Sequence, residues 1–155
     1  MIVVVRRLLK EVAFSISFMM LCASCSSSDL SRNQDRVCFK ERCVSVEVAQ
    51  NEKDLMRGLQ FRNSLSENAG MLFIFPQSGI YDFWMKDTLI PLDMIWLSDD
   101  RYVIYIAAHV PPCQKDPCPT YGPQKQSRYV LEINADKADR FNIHVGDRAE
   151  FKLHK

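Results

Sequence analysis

The chain contains no G-x-S-x-G elbow, no H-E-x-x-H and no Gly-rich phosphate loop, and neither Cys38 with Cys43 nor Cys113 with Cys118 has C-x-x-C spacing. Each of those chemistries needs its own spacing to bring reacting groups together, so serine-hydrolase, zinc-protease, nucleotide-binding and thiol-redox readings lose their usual support. Basic runs are also missing, and 20 Lys and Arg stand against 19 Asp and Glu. Nothing in that balance draws nucleic acid. No cofactor motif, internal repeat or second domain is visible in the 155 residues, a length that suits one domain with a substantial core.

What is present begins with a removable leader. Arg6, Arg7 and Lys10 form a basic region, Val12 to Cys22 an apolar one, and Ala23-Ser24 a small-residue step before Cys25. The apolar run is too short for an ordinary membrane-spanning helix. Leu21-Cys22-Ala23-Ser24-Cys25 resembles a bacterial lipoprotein cleavage site, in which Cys25 becomes lipidated and anchors the protein to a membrane. Ser26, which is not aspartate, favours the periplasmic side of the outer membrane in that resemblance. Ordinary signal-peptidase cleavage would instead leave a periplasmic or secreted protein. Residues 1–24 are therefore expected to be a signal peptide, 25–35 a flexible tether, and 36–155 a single domain. Loss of the leader, with three bases and one acid, turns the formal charge from +1 to about −1.

In an exported chain, cysteines pair. Cys38 with Cys43 and Cys113 with Cys118 make the simplest pair of local disulfides, although four cysteines allow three connectivities. A thiolate metal site is the competing reading, and four-residue gaps suit it poorly.

Short runs rich in aromatic and β-branched residues alternate with turn signals, and two short helices interrupt them. That pattern predicts a mostly β domain, an antiparallel β-sandwich or barrel-like fold. Val37–Phe39 and Cys43–Val48 form a first hairpin with Val37 opposite Val44. Asn51 caps a short helix that Gly58 ends. Met71–Phe75, Tyr102–Val110, Arg128–Ile133 and Arg148–Leu153 read as further strands, with a brief helix over Ala135–Phe141. Pro111–Gln126 is a long Pro-rich loop pinned by Cys113 and Cys118.

The densest stretch is Met71–Leu97, which holds both tryptophans. Ile80–Asp87 and Leu92–Leu97 are expected to pair as a hairpin with Lys86 opposite Asp93 and Met85 opposite Met94. Tyr81, Phe83, Met85, Met94 and Trp96 then share one apolar face. Asp82, Trp84, Lys86 and Asp93 share the other, joined at its rim by Arg57, Arg128 and Glu132. An aromatic ring flanked by polar groups is a common means of holding a glycan or a peptide. A cross-strand ion pair beside a half-covered tryptophan is the blander account of the same residues.

The segments MRGL (56–59), GMLF (70–73), FWMKDT (83–88), IPLD (90–93), PPC (111–113), CPTY (118–121), RYVLE (128–132) and GD (146–147) resemble, in that order, the domain of unknown function 192 family. The resemblance runs from about Val44 to Leu153 and implies a compact, mostly β domain, often exported or membrane-tethered. It implies no activity, and so assigns no catalytic residue.

The expected function is a non-catalytic, ligand- or partner-binding protein of the cell envelope. Two alternatives differ in class. An envelope hydrolase would use Asp87 and Asp93 as paired carboxylates, which the expected register places on opposite faces. A copper(I)-handling protein would use Met71, Met85, Met94 and His109 as soft ligands, although buried methionines are usually core filler.

Overall fold

The computed structural model describes residues 34–154. Among these, nine strands and two helices follow one another in the order β1 (Arg36–Phe39), β2 (Arg42–Ala49), α1 (Glu52–Arg57), β3 (Ala69–Gly79), β4 (Phe83–Trp84), β5 (Leu92–Leu97), β6 (Val103–Val110), β7 (Thr120–Tyr121), β8 (Ser127–Asn134), α2 (Lys137–Arg140) and β9 (Ala149–Lys152). The signal peptide, most of the tether and Cys25 lie outside the described residues. No helix among the described residues is long and apolar enough to cross a membrane.

Seven strands form one sheet in the order β6-β5-β8-β3-β2-β1-β9, and β4 pairs separately with β7. The sheet curls until its two edges meet. Val103 N–H donates to the Asp147 carbonyl at 2.8 Å, and Ala149 N–H to that of Arg101 at 2.9 Å. A bridge between Tyr102 and Arg148 joins the same edges. The mostly β, barrel-like expectation therefore stands. One pairing departs from it: β2 and β3 run parallel. Parallel neighbours need a crossover, and α1 with the segment leading to Ala69 supplies one.

Alternating side chains give this sheet two cores. Val37, Val44, Leu72, Ile95, Leu131 and Ile133 pack on one face. Met71, Phe73, Met94, Trp96 and Val130 pack on the other, where Leu59 and Met85 cover them. Strand β5, paired on both sides, is consequently buried at every position.

Local expectations hold where they rest on adjacent residues. Asn51 caps α1, its side-chain oxygen accepting from Asp54 N–H at 3.0 Å, and Gly58 stops the helix at φ 49°. Val37 pairs with Val44, and Cys38 with Cys43. Both expected disulfides, Cys38–Cys43 and Cys113–Cys118, are formed. They belong to an oxidising environment outside the cytosol.

The expected central hairpin does not form. β5 pairs with β6 on one side and β8 on the other, so no edge is left for residues 80–87. Lys86 does not face Asp93. The chain turns at Asp87, at φ 56°, and β4 reaches β7 instead, Trp84 meeting Thr120 and Phe83 meeting Tyr121. Phe83, Met85, Met94 and Trp96 still gather in one core, because burial depends on covering the sheet and not on how the covering segment is paired.

Candidate functional site

A cavity of about 440 Å³ opens where α1, β3 and the segment preceding β4 converge on the second core. Volumes of this order hold small ligands or a few side chains. Arg57, Gly58, Asp82, Trp84, Thr88 and Glu132 contribute to its lining, with an aromatic wall of Phe73, Phe75, Tyr81 and Phe83.

The wall is built by periodicity. Phe73 and Phe75 project from the same side of β3 as Met71. Phe73 meets Phe83 edge-on at 4.9 Å, and Phe75 stacks on Tyr81 at 3.6 Å. The Tyr81 hydroxyl donates to the Gln77 carbonyl at 2.8 Å, and Trp96 Nε1 donates to the Tyr81 carbonyl at 2.8 Å. These bonds tether the incoming segment to the sheet from both sides. Thr120–Tyr121 of β7 pairs with Phe83–Trp84, and the loop before it is clamped by Cys113–Cys118. Gly122 leaves room for Asp82, whose Oδ1 would lie 2.2 Å from a Cβ there.

Glu132 lies within the cavity. On β8 it is flanked across both ladders by methionines, Met71 on β3 and Met94 on β5. It is 5% exposed, and no described residue hydrogen-bonds its carboxyl. Burial disfavours the charged form and pushes Glu132 up to about 8, so at neutral pH it is a neutral acid. Gly58 is the residue that lets α1 end so close. A Cβ at Gly58 would stand 3.2 Å from Phe73 Cζ and 3.9 Å from Glu132 Oε2, at a positive φ that favours glycine.

Of the residues expected from sequence, Asp82, Trp84, Arg57 and Glu132 come together here. Three do not. Asp93 is fully buried and structural: its carboxylate accepts from His109 N–H and from Ala138 N–H, each at 2.8 Å. It thereby bonds a first-turn amide of α2, whose own N-cap residue Asp136 makes no side-chain cap bond. Lys86 turns from the cavity to Asp116, at 3.7 Å, with its ammonium 5.6 Å from the Trp84 ring centroid. Arg128 points to Asp99, at 4.0 Å. Asp87 and Asp93 form no carboxylate pair, since Asp93 is occupied in the fold.

The copper set also fails to assemble. His109 pairs with Asp136, with its side chain half exposed, while the three methionines are buried in the second core. Cys113, Asp116 and Cys118 lie within 4.8 Å of one another, but their disulfide removes the thiolates a metal would need.

Sequence reasoning missed Gly58, Phe73, Phe75, Tyr81 and Thr88 as parts of the site. MRGL (56–59) and FWMKDT (83–88) held the signal, since both segments end at this cavity. Five of the nine large exposed hydrophobics among the described residues also belong here: Met56, Ile80 and Trp84 in its lining, and Phe61 and Leu89 beside Gln60 and Thr88 in the chain.

Solved structures share the fold. A protein of unknown function from Novosphingobium aromaticivorans DSM 12444 is 32% identical, with a TM-score of 0.68 over 76% of this chain and 83% of that one. A Sinorhizobium meliloti 1021 protein, provisionally described as a transcription regulator, is 28% identical, with a TM-score of 0.69 over 76% and 92%. No curated protein matches the chain. Residues 36–151, almost the whole of the β domain, match the family described as Uncharacterized ACR, and the chain belongs to that family, domain of unknown function 192.

Proposed function

We propose that this chain is an exported cell-envelope protein, lipidated at Cys25, whose β domain binds a peptide without catalysing a reaction on it. The carrying observation is the cavity between α1, β3 and β4 with its apolar surround. Met56, Phe61, Ile80, Trp84 and Leu89 are large apolar side chains left in water at its margin. Grouped exposure of this kind marks interaction sites. A peptide with apolar side chains matches it better than a glycan does, because sugars ask for ring faces and many hydrogen-bonding groups, and much of this margin is aliphatic. Export is supported by the basic-apolar leader and by two disulfides. The regulator description of the Sinorhizobium protein is not carried over, because a mature chain with a charge near −1 and no basic run gives no electrostatic reason to bind DNA.

The test is a titration of the protein, followed by tryptophan fluorescence, against arrays of short peptides and of cell-wall glycans. Peptide binding that disappears in Trp84→Ala, with the far-UV spectrum unchanged, is expected. Glycan binding alone would replace the peptide reading, and an undiminished response in Trp84→Ala would remove the site. Palmitate labelling lost in Cys25→Ser checks the anchor.

A further inference from the structure

Among the described residues, three ionisable side chains are buried, and two of them have partners. Asp93 has two backbone donors, and Lys137, 3% exposed on its side chain, has Glu67 at 2.7 Å and Asn68 Oδ1 at 3.1 Å. Glu132 is as deeply buried, lines a cavity, and has no donor among the described residues. Unpartnered buried polar groups are costly and uncommon, and one aimed into a cavity marks a place where a bound group completes it.

The surroundings decide which group. From β3 and β5, Glu132 is faced by Met71 and Met94, neither of which titrates. Arg57 lines the cavity from the end of α1, and Tyr81 and Asp82 line it from the segment before β4. The lining thus carries two acids, one cation and an aromatic wall. An ammonium group uses both acids and the wall, with only Arg57 against it: carboxylates pair with it, and aromatic faces attract it through their quadrupoles. Trp84 already receives one ammonium in this way, from Lys86. A carboxylate ligand would have Arg57 alone in its favour and Asp82 against it.

We propose that the cavity takes a primary amine of its ligand, either a lysine side chain or the N-terminal amine of a peptide, onto the Glu132 carboxylate. The inference rests on the cavity being a ligand site and names the chemistry it selects. As the ammonium enters, Glu132 releases its proton to solvent, and an ion pair replaces the neutral acid. The aromatic wall covers the alkyl stem, and Arg57 is left for a carbonyl or carboxylate of the same peptide.

Three six-carbon probes isolate the head group: hexylamine, hexanol and hexanoate. Binding is followed by the NMR shift of the Trp84 indole N–H, and proton exchange by calorimetry at pH 7 in phosphate and in HEPES, neither of which is a primary amine. Hexylamine is expected to bind about tenfold more tightly than hexanol, releasing about one proton per molecule bound. Glu132→Gln is expected to erase that preference and leave hexanol unaffected. Equal or tighter binding of hexanol or hexanoate, proton uptake or no proton exchange, or an undiminished preference in Glu132→Gln would each overturn the proposal, as would no binding of any probe. The calorimetry uses the unaltered protein and decides the matter even if the variant does not fold. Failure of the amine assignment leaves the peptide reading standing wherever the peptide array shows Trp84-dependent binding without regard to lysine.

Discussion

The amide of Phe61 donates to the carbonyl of Asp87 at 2.8 Å, and both residues hold left-handed backbone, at φ 62° and 56°. This bond ties the segment after α1 to the turn after β4, two stretches far apart in sequence that flank the same cavity. Aspartate tolerates that conformation and phenylalanine does so poorly, so Phe61 is held outward, 64% exposed, against its own preference.

The geometry predicts how position 87 tolerates change. Asp87→Val is expected to destabilise by about 1–2 kcal/mol, because a β-branched side chain is strained there, and Asp87→Gly to be nearly neutral. Urea midpoints of the two variants compare them directly. Equal midpoints would mean that the turn relaxes.

Gly70 of β3 pairs with Ile133 of β8. A Cβ there would be 2.6 Å from the Glu132 carbonyl and 2.9 Å from Ile133 Cγ2. Gly70→Ala is therefore expected to cost roughly 3 kcal/mol, since neither strand can move without disturbing its other neighbour. Thermal unfolding measures it, and an unshifted midpoint would show that the strands are free to separate.

Asp93 and Glu132 are both buried carboxyls with opposite expected behaviour. Asp93→Leu leaves the His109 and Ala138 amides unpaired and is expected to cost about 3 kcal/mol. Glu132→Gln removes no described hydrogen bond. Chemical denaturation at pH 7 is expected to rank Asp93→Leu below the parent and Glu132→Gln above it.

Glu132 also makes stability depend on pH. Folding raises its titration from 4.5 to about 8. Between those values the folded state keeps a proton that the unfolded state has lost, so stability falls as pH rises, by up to roughly 1.4 kcal/mol per pH unit. The contribution is intact below the lower value and fully lost above the upper one. Glu47 and Glu67, held low by Arg62 and Lys137, act below that window. Glu132→Gln is expected to flatten the profile and to exceed the parent at pH 7 by ~1–3 kcal/mol. A parent profile already flat across that window would show that the carboxyl is satisfied in solution.

Local chemistry was legible from residues alone. The Asn51 cap, the Gly58 stop, the Cys38–Cys43 register and the Cys113–Cys118 clip each involve groups within a few residues of one another, so nothing distant can overrule them. The mostly β class followed from period-2 patterning and turn residues, and family membership from segments spread along the chain. The partners of Met71–Leu97 were not legible. An all-apolar strand such as Leu92–Leu97 carries no mark of which neighbours it takes, because both of its faces are buried. Tertiary structure placed β6 and β8 beside it, sent Asp93 to the α2 amides and Lys86 to Asp116, and left Glu132 unpartnered in a cavity. The sequence by itself determined that an aromatic, acid-bearing surface would exist near Trp84. Only the packing of β8 between two methionine-bearing strands decided that its central acid would be a neutral one, because desolvation is a property of neighbours in space and not in sequence.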